Sequence, residues 1–262
     1  IMTYAFDTDP HLELIGAVPE SRVLLANPIN AEMPAMRTHL GPNLLMALQR
    51  NERREERLRI FEVGRVFQPD ADPKALPHQP VTLGGLVGDA TLGEDTEAQL
   101  FAGLKGAVMG LCRAVSRAPL RIVQGGVDHP WAHPVRQAQL LGPDGAVLGY
   151  LADAHPAVLH ALDLGHRAAL FELDLDAWRA GDEEGATYRP LPRFPSANRD
   201  FAVLVDESIR AGAVADAIRG AHPTRVRDVS FQSVYRGQGV PDGQKSMAWS
   251  VTFLDEDTTL ND

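Results

Sequence analysis

The sequence predicts an α+β protein of two domains, a larger one on a mostly antiparallel sheet with flanking helices and a smaller β-α-β-β unit. Three observations carry this. The 262 residues, 44% hydrophobic and 23% charged, are better divided between two cores than gathered into one. Consecutive strand-like runs at 120–124, 135–141 and 146–151 are joined by turn residues, above all Gly142-Pro143-Asp144-Gly145, as in antiparallel pairing. Finally, Gly181-Asp182-Glu183-Glu184-Gly185 precedes Pro190, Pro192 and Pro195, a linker composition that is flexible first and stiff afterwards. The expected division is residues 1–178, a linker at 179–192, and residues 193–262.

In chain order, strands are expected at Ile1–Phe6 and Arg22–Ala26, with a short helix between them at Pro10–Ile15. Asn27-Pro28 and Met33-Pro34 then hold the chain extended, because the residue before a proline is pushed out of the α region. Helix starts near Gly41-Pro42, where proline suits a first position, and Leu44, Leu45 and Leu48 give it one apolar face. The segment Leu58–Phe67 alternates with Phe61, Val63 and Phe67 on one side and Leu58 and Ile60 on the other. A strand apolar on both faces is expected inside a sheet. Gln68–Pro80 reads as a surface loop and Val81–Gly88 as a strand. Glu97–Ser116 carries a helical stripe of Leu100, Phe101, Leu104, Val108, Leu111, Cys112 and Val115 that should cover one sheet face. A short helix at 154–162 and a strand at 168–175 close the first domain. The second predicts a strand at 199–205, a helix at 211–221, and strands at 226–235 and 246–254. That order suggests a ferredoxin-like fold whose last helix and strand would follow Thr258. The chain starts at Ile1 and stops at Asp262, so it reads as a fragment, and residues 193–262 alone are expected to be of reduced stability.

No run approaches ~18 apolar residues, which excludes a membrane-spanning helix, and the start lacks the layout of a signal peptide. Single Cys112 forms no internal disulfide, so a reducing cytoplasm is the expected compartment. The net charge of −10 argues against an indiscriminate nucleic-acid binder. However, residues 189–245 hold nine Arg and Lys against six Asp and Glu, and any polyanion contact should lie there. Arg193, Arg199, Arg236 and Lys245 alternate with Phe194, Phe201, Tyr235 and Trp249, a mixture suited to single-stranded RNA, where bases stack and cations meet phosphate. Tyr235 with Arg236 is the favoured pair, and Phe201 and Trp249 are equally good core residues. The glycine-rich run at 236–246 lacks Gly directly before Lys245 and leads into a strand, so a hairpin is expected rather than a phosphate loop. His129, His133, His155 and His160 come without a cysteine cluster or an HExxH pattern, which disfavours zinc. Glu62, inside an apolar strand, is either a perturbed catalytic carboxylate or the buried partner of Arg37 or Arg65.

The run AEMPAMRTHLGPNLLMALQRN followed by RIFEVGRVF, then FAGLKG at 101–106, HPVRQAQLLGPDGAVLGYLADAHPAVLHALDL at 133–164, FPSANRDFAVLVDE at 194–207 and VYRGQGVPDGQKSMAWSVTFLDEDTTLND at 234–262, resembles the β subunit of bacterial-type phenylalanyl-tRNA synthetase. Val135 and Gln137 stand where that family has glycine and serine. The resemblance implies a class II synthetase-like domain without catalytic residues, followed by a ferredoxin-like anticodon-binding domain. It implies a partner, the catalytic α subunit of an (αβ)₂ heterotetramer, and tRNA(Phe) as ligand. ATP and magnesium would serve the holoenzyme, with none bound to this chain. Arg37, Thr38, Arg53 and Arg54 become candidates for the subunit interface, and Arg193, Ser196, Arg199, Tyr235, Arg236 and Lys245 for tRNA contact. A standalone RNA-binding or adaptor protein derived from that subunit is the alternative.

Overall fold

The computed structural model describes residues 1–18, 22–72, 75–93, 98–115, 120–180 and 191–260. They form two compact units, Ile1–Thr187 and Tyr188–Asp262.

The first unit is organised on a six-stranded antiparallel sheet made of β3 (Arg57–Arg65), β4 (Val81–Asp89), β5 (Arg121–Gln124), β6 (Ala132–Leu141), β7 (Val147–Ala154) and β8 (Arg167–Asp174). Their spatial order is β3-β4-β8-β7-β6-β5. Helix α2 (Gly41–Asn51) begins with proline in its first turn and lays Leu44, Leu45 and Leu48, all fully buried, on one face of the sheet. Each such leucine stabilises the fold by about 2–3 kcal/mol. Together with Leu12 and Ile15 of the short helix α1 (Asp9–Leu14) and its C-terminal end, these side chains meet Leu86, Ala152 and Leu170 from the sheet. Helix α3 (Ala98–Ala114) covers the opposite face, where Leu100, Leu104, Val108 and Cys112 pack on Leu83, Leu151, Phe171 and Leu173. Strands β4, β7 and β8 are therefore buried on both faces.

Strand β3 differs from expectation. It lies at the edge of the sheet. Leu58 and Ile60 pack against the α2-side core, but Phe61 is 63% and Val63 54% exposed. Their side faces beyond α3, which packs on β4, β7 and β8. Apolarity on both faces fits a strand awaiting a partner as well as one already covered, so pattern alone does not separate the two.

At the N-terminus, pairing is confined to β1 (Phe6–Asp7) with β2 (Ala35–Met36). The expected strand at 22–26 is reduced to one bridge, Leu24 with Ala35. Pro34 has no N–H to extend that ladder. Between β7 and β8, His155 caps the short helix α4 (Pro156–Ala161), its Nδ1 accepting from Ala157 N–H at 3.0 Å. Where linker was expected from Arg179, a further helix α5 (Leu175–Ala180) follows β8. Asp174 accepts from Ala177 N–H at 2.8 Å, an N-terminal capping pattern, and Trp178 anchors α5 in the α3-side core. Most of the expected linker lies outside the described residues.

The second unit contains β9 (Ala197–Asp206), α6 (Ala211–Ala221), β10 (Val226–Tyr235) and β11 (Gln244–Phe253). The strands are antiparallel in the order β10-β11-β9. Val214 and Ala215 of α6 cover one face, made by Met247, Trp249, Val251 and Val229. Phe201, Trp249 and Phe231 form one cross-strand row, in which Trp249 is buried and both phenylalanines stay partly exposed. The glycine-rich run 236–243 is the β10–β11 hairpin connection.

Candidate functional site

Of the two readings of Glu62, the geometry gives the buried partner. Arg37 follows β2 directly and turns inward, its Nη1 donating to Glu62 Oε1 at 2.7 Å and its Nε to the Arg65 carbonyl at 2.9 Å. Thr3 Oγ1 donates to Glu62 Oε2 at 2.8 Å and accepts from Arg37 at 2.9 Å. Both charges are nearly inaccessible, 3% and 2% exposed. A Cβ on Gly64 would press on the Arg37 guanidinium, which its hydrogen bonds to Glu62, Thr3 and the Arg65 carbonyl hold in place. This moves Arg37 from the expected subunit face to the interior, and Thr38, 9% exposed, goes with it. Arg53 and Arg54 are exposed on the turn after α2.

A second polar centre, unforeseen from the sequence, lies over β7 and β8. Glu172 and Tyr150 are direct cross-strand partners. Glu172 Oε1 accepts from Tyr150 Oη at 2.8 Å and from Gly41 N–H at 2.7 Å, and Tyr150 Oη accepts from Trp131 Nε1 at 2.9 Å. Gly41 permits this approach, for a Cβ would fall 2.8 Å from the indole nitrogen. His39 Nδ1 stands 3.6 Å from Glu172 Oε2, and His129 lies flat on Trp131 with ring centroids 4.7 Å apart. Burial works against the charge of Glu172, yet these donors and His39 hold its pKa below the usual carboxylate value. Burial also works against His39, but Glu172 and Asp7 keep its pKa raised. His129, buried and beside His39, is pushed down to about 4. A glutamate inside the apolar run Ala168–Leu173 was the available signal.

Asp7 of β1 acts on His39 through its charge and is itself buried, with Oδ2 unpartnered. Burial raises its pKa to about 6 despite Arg22 and His39. In the unfolded chain the same carboxyl titrates near 3.9, so between these values the folded state holds the extra proton. The stability tied to that proton is complete at low pH and is lost as pH rises through about 6. Asp7→Asn should flatten this fall, worth about 2 kcal/mol between pH 4 and 7. Urea unfolding across that range checks it, and parallel curves for the two proteins would contradict it.

Of the histidines weighed as metal ligands, His133 and His155 serve their own backbone. His133 Nδ1 accepts from Val135 and Arg136 N–H at 3.1 and 3.0 Å, and His155 caps α4. Among the described residues, no group of three or more His, Cys, Asp or Glu is placed to hold a metal ion, and no helix is long and apolar enough to cross a membrane.

In the second unit, Tyr235 ends β10 and is 53% exposed. Arg236, next to it, is exposed and bound to Glu207 of the β9–α6 turn, with Nη2 to Oε1 at 2.6 Å. Nothing in the sequence pattern singles out Glu207 as its partner. Its pKa is lowered by Arg236 first, and that of Arg236 is raised in return. Lys245 shares the register side of Met247 and Trp249, is 8% exposed, and donates from Nζ to the Glu207 carbonyl at 2.6 Å. It is thereby a fastener of the turn rather than an open phosphate ligand. Arg193, Ser196 and Arg199 are exposed, with Arg199 Nη1 on the Asn198 carbonyl at 3.1 Å. Two further cations of this unit are neutralised locally, Arg225 by Asp255 at 2.8 Å and Arg227 by Glu256.

These features define the class: an α+β chain of antiparallel sheets that ends in a ferredoxin-like domain carrying an exposed Tyr-Arg pair. Residues 1–175 match the family model of the phenylalanyl-tRNA synthetase beta chain CLM domain, and residues 192–262 that of the ferredoxin-fold anticodon binding domain. The chain belongs to the phenylalanyl-tRNA synthetase beta-chain family. It is similar to the phenylalanine–tRNA ligase beta subunits of Moorella thermoacetica (38% identical, covering 100% of this chain and 33% of that protein), Dechloromonas aromatica (34%, 92% and 30%) and Thiobacillus denitrificans (36%, 100% and 32%). The chain thus spans about a third of the length of these relatives.

Proposed function

We propose that this chain serves a phenylalanine–tRNA ligase as a non-catalytic part of its beta subunit, in an (αβ)₂ assembly of the cytoplasm that charges tRNA(Phe). Residues 1–178 act as the scaffold on which the catalytic alpha subunit packs, and residues 193–262 contact the anticodon region. The observation that carries the reading is the edge strand β3, whose outer strip of Phe61 and Val63 is left in solvent although the strand is fixed from within by the Arg37–Glu62 pair. A rigid apolar edge of this kind is what a partner subunit needs. Arg53 and Arg54 extend the contact with charge. ATP and magnesium belong to the alpha subunit in this reading. What supports this is Arg37, whose guanidinium is taken up by Glu62 rather than open to a phosphate. Co-expression with the alpha subunit tests the scaffold role directly: a stable co-purifying complex is expected, and separate elution would overturn it.

For the RNA contact, Arg236→Ala and Arg199→Ala should each weaken tRNA binding about fivefold to tenfold and reduce the salt slope by roughly one. Glu207→Gln should act oppositely, because it frees the Arg236 guanidinium. Filter binding at several salt concentrations measures all three, and unchanged affinities and slopes would remove the assignment.

A further inference from the structure

We propose that the cleft above β7 and β8 binds a small organic cation, an aromatic primary amine whose ammonium meets Glu172 and whose ring lies on His129. The cleft has a volume of about 420 Å³, within the size range of small-molecule sites. Its polar lining includes Thr38, His39, Asp128, His129, Glu172 and Asp174. Three acidic residues and the imidazole of His39 thus border the cleft, with Glu172 alone paired to that imidazole, and an anionic ligand would be disfavoured. His129 contributes a neutral flat surface near pH 7, because its pKa is held near 4. Its ring is fixed in place by stacking on Trp131 and by Tyr150 and His39, each tilted against it at 4.6 Å.

The buried carboxylate supplies the specificity. Glu172 is 5% exposed, and its Oε1 takes the hydrogen bonds from Gly41 and Tyr150. Oε2 meets His39 Nδ1 at 3.6 Å, beyond a good hydrogen bond, so this oxygen keeps capacity for a further donor. A protonated amine gains that charge-assisted bond and an aromatic face together. A neutral aromatic gains only the face. The proposal is independent of the subunit and tRNA contacts, which use β3 and the second unit.

The test uses the 262-residue chain in ¹H–¹⁵N NMR titrations, following the Trp131 indole N–H. The probes are 2-phenylethylamine, 2-phenylethanol and 3-phenylpropionate. The amine should saturate with a Kd near or below about 1 mM, the alcohol should bind about tenfold more weakly, and the acid should not saturate. Glu172→Gln should erase the preference for amine over alcohol. If that substitution disturbs the fold, Asp128→Asn at the exposed rim decides: it should weaken the amine about twofold to threefold and leave the alcohol unchanged. His129→Ala should weaken both probes. Equal binding of all three probes would overturn the proposal, as would absence of saturation by the amine at about 10 mM or an amine preference that survives both acidic substitutions.

Discussion

Replacing Phe61 and Val63 together by Asp is expected to abolish co-purification with the catalytic alpha subunit while leaving this chain folded. Both side chains already face water in the isolated chain, so the change removes little internal packing. At an interface each would contribute about 1.5–3 kcal/mol of apolar burial, and two carboxylates placed there add a desolvation cost. A combined loss of about 4 kcal/mol or more corresponds to roughly a thousandfold weaker association. Size-exclusion chromatography of the co-expressed subunits gives the result, and circular dichroism monitors the fold. A complex of undiminished stability would refute the role given to the β3 edge. The paired control, charge reversal at Arg53 and Arg54, should have a smaller effect, since rim charges act mainly on association rate.

The second large effect concerns stability. Arg37→Ala or Glu62→Ala leaves an unpaired charge in a site where both groups are nearly inaccessible, and losses of this type cost about 3–5 kcal/mol. For a unit of this size, each kcal/mol lowers Tm by about 2–4 °C, so a decrease of roughly 10 °C is expected. The double variant Arg37→Met/Glu62→Leu should recover much of it, because the deficit arises from the stranded charge. Calorimetry on the three variants provides the measurement. Single variants that melt within about 2 °C of the parent would show that the site is hydrated.

Several elements were legible because local signals agreed. The proline at the start of α2 and the spacing of Leu44, Leu45 and Leu48 gave both its position and its buried face, and the limits of α6 and β10 were read correctly. Strand β3 was misplaced because Phe61 and Val63 look the same to periodicity whether a sheet or another protein covers them. The expected strand at 22–26 is cut to a single bridge beside Pro34, which has no N–H to continue the ladder, and that at 1–6 is paired only at its Phe6 end. Helix α5 is only six residues long, too short for an apolar stripe to emerge. At the candidate sites, the sequence left Arg37 open between a subunit-face cation and the buried partner of Glu62, and offered Lys245 as a cation for tRNA contact. Their actual positions depend on partners distant in sequence, Glu62 for one and the carbonyl of Glu207 for the other. The Tyr150–Glu172–His39 centre depends on strand register, which no single segment specifies.

The Glu207–Arg236 pair has a consequence for selectivity. A guanidinium already holding a carboxylate is an occupied receptor, and an incoming phosphate must displace that occupant before it gains anything. Isolated phosphates and short oligonucleotides compete poorly on these terms. In the proposed anticodon role, a structured ligand that anchors at several points would supply the exchange energy from its other contacts, and Glu207→Gln should narrow the affinity gap between such a ligand and a loose polyanion.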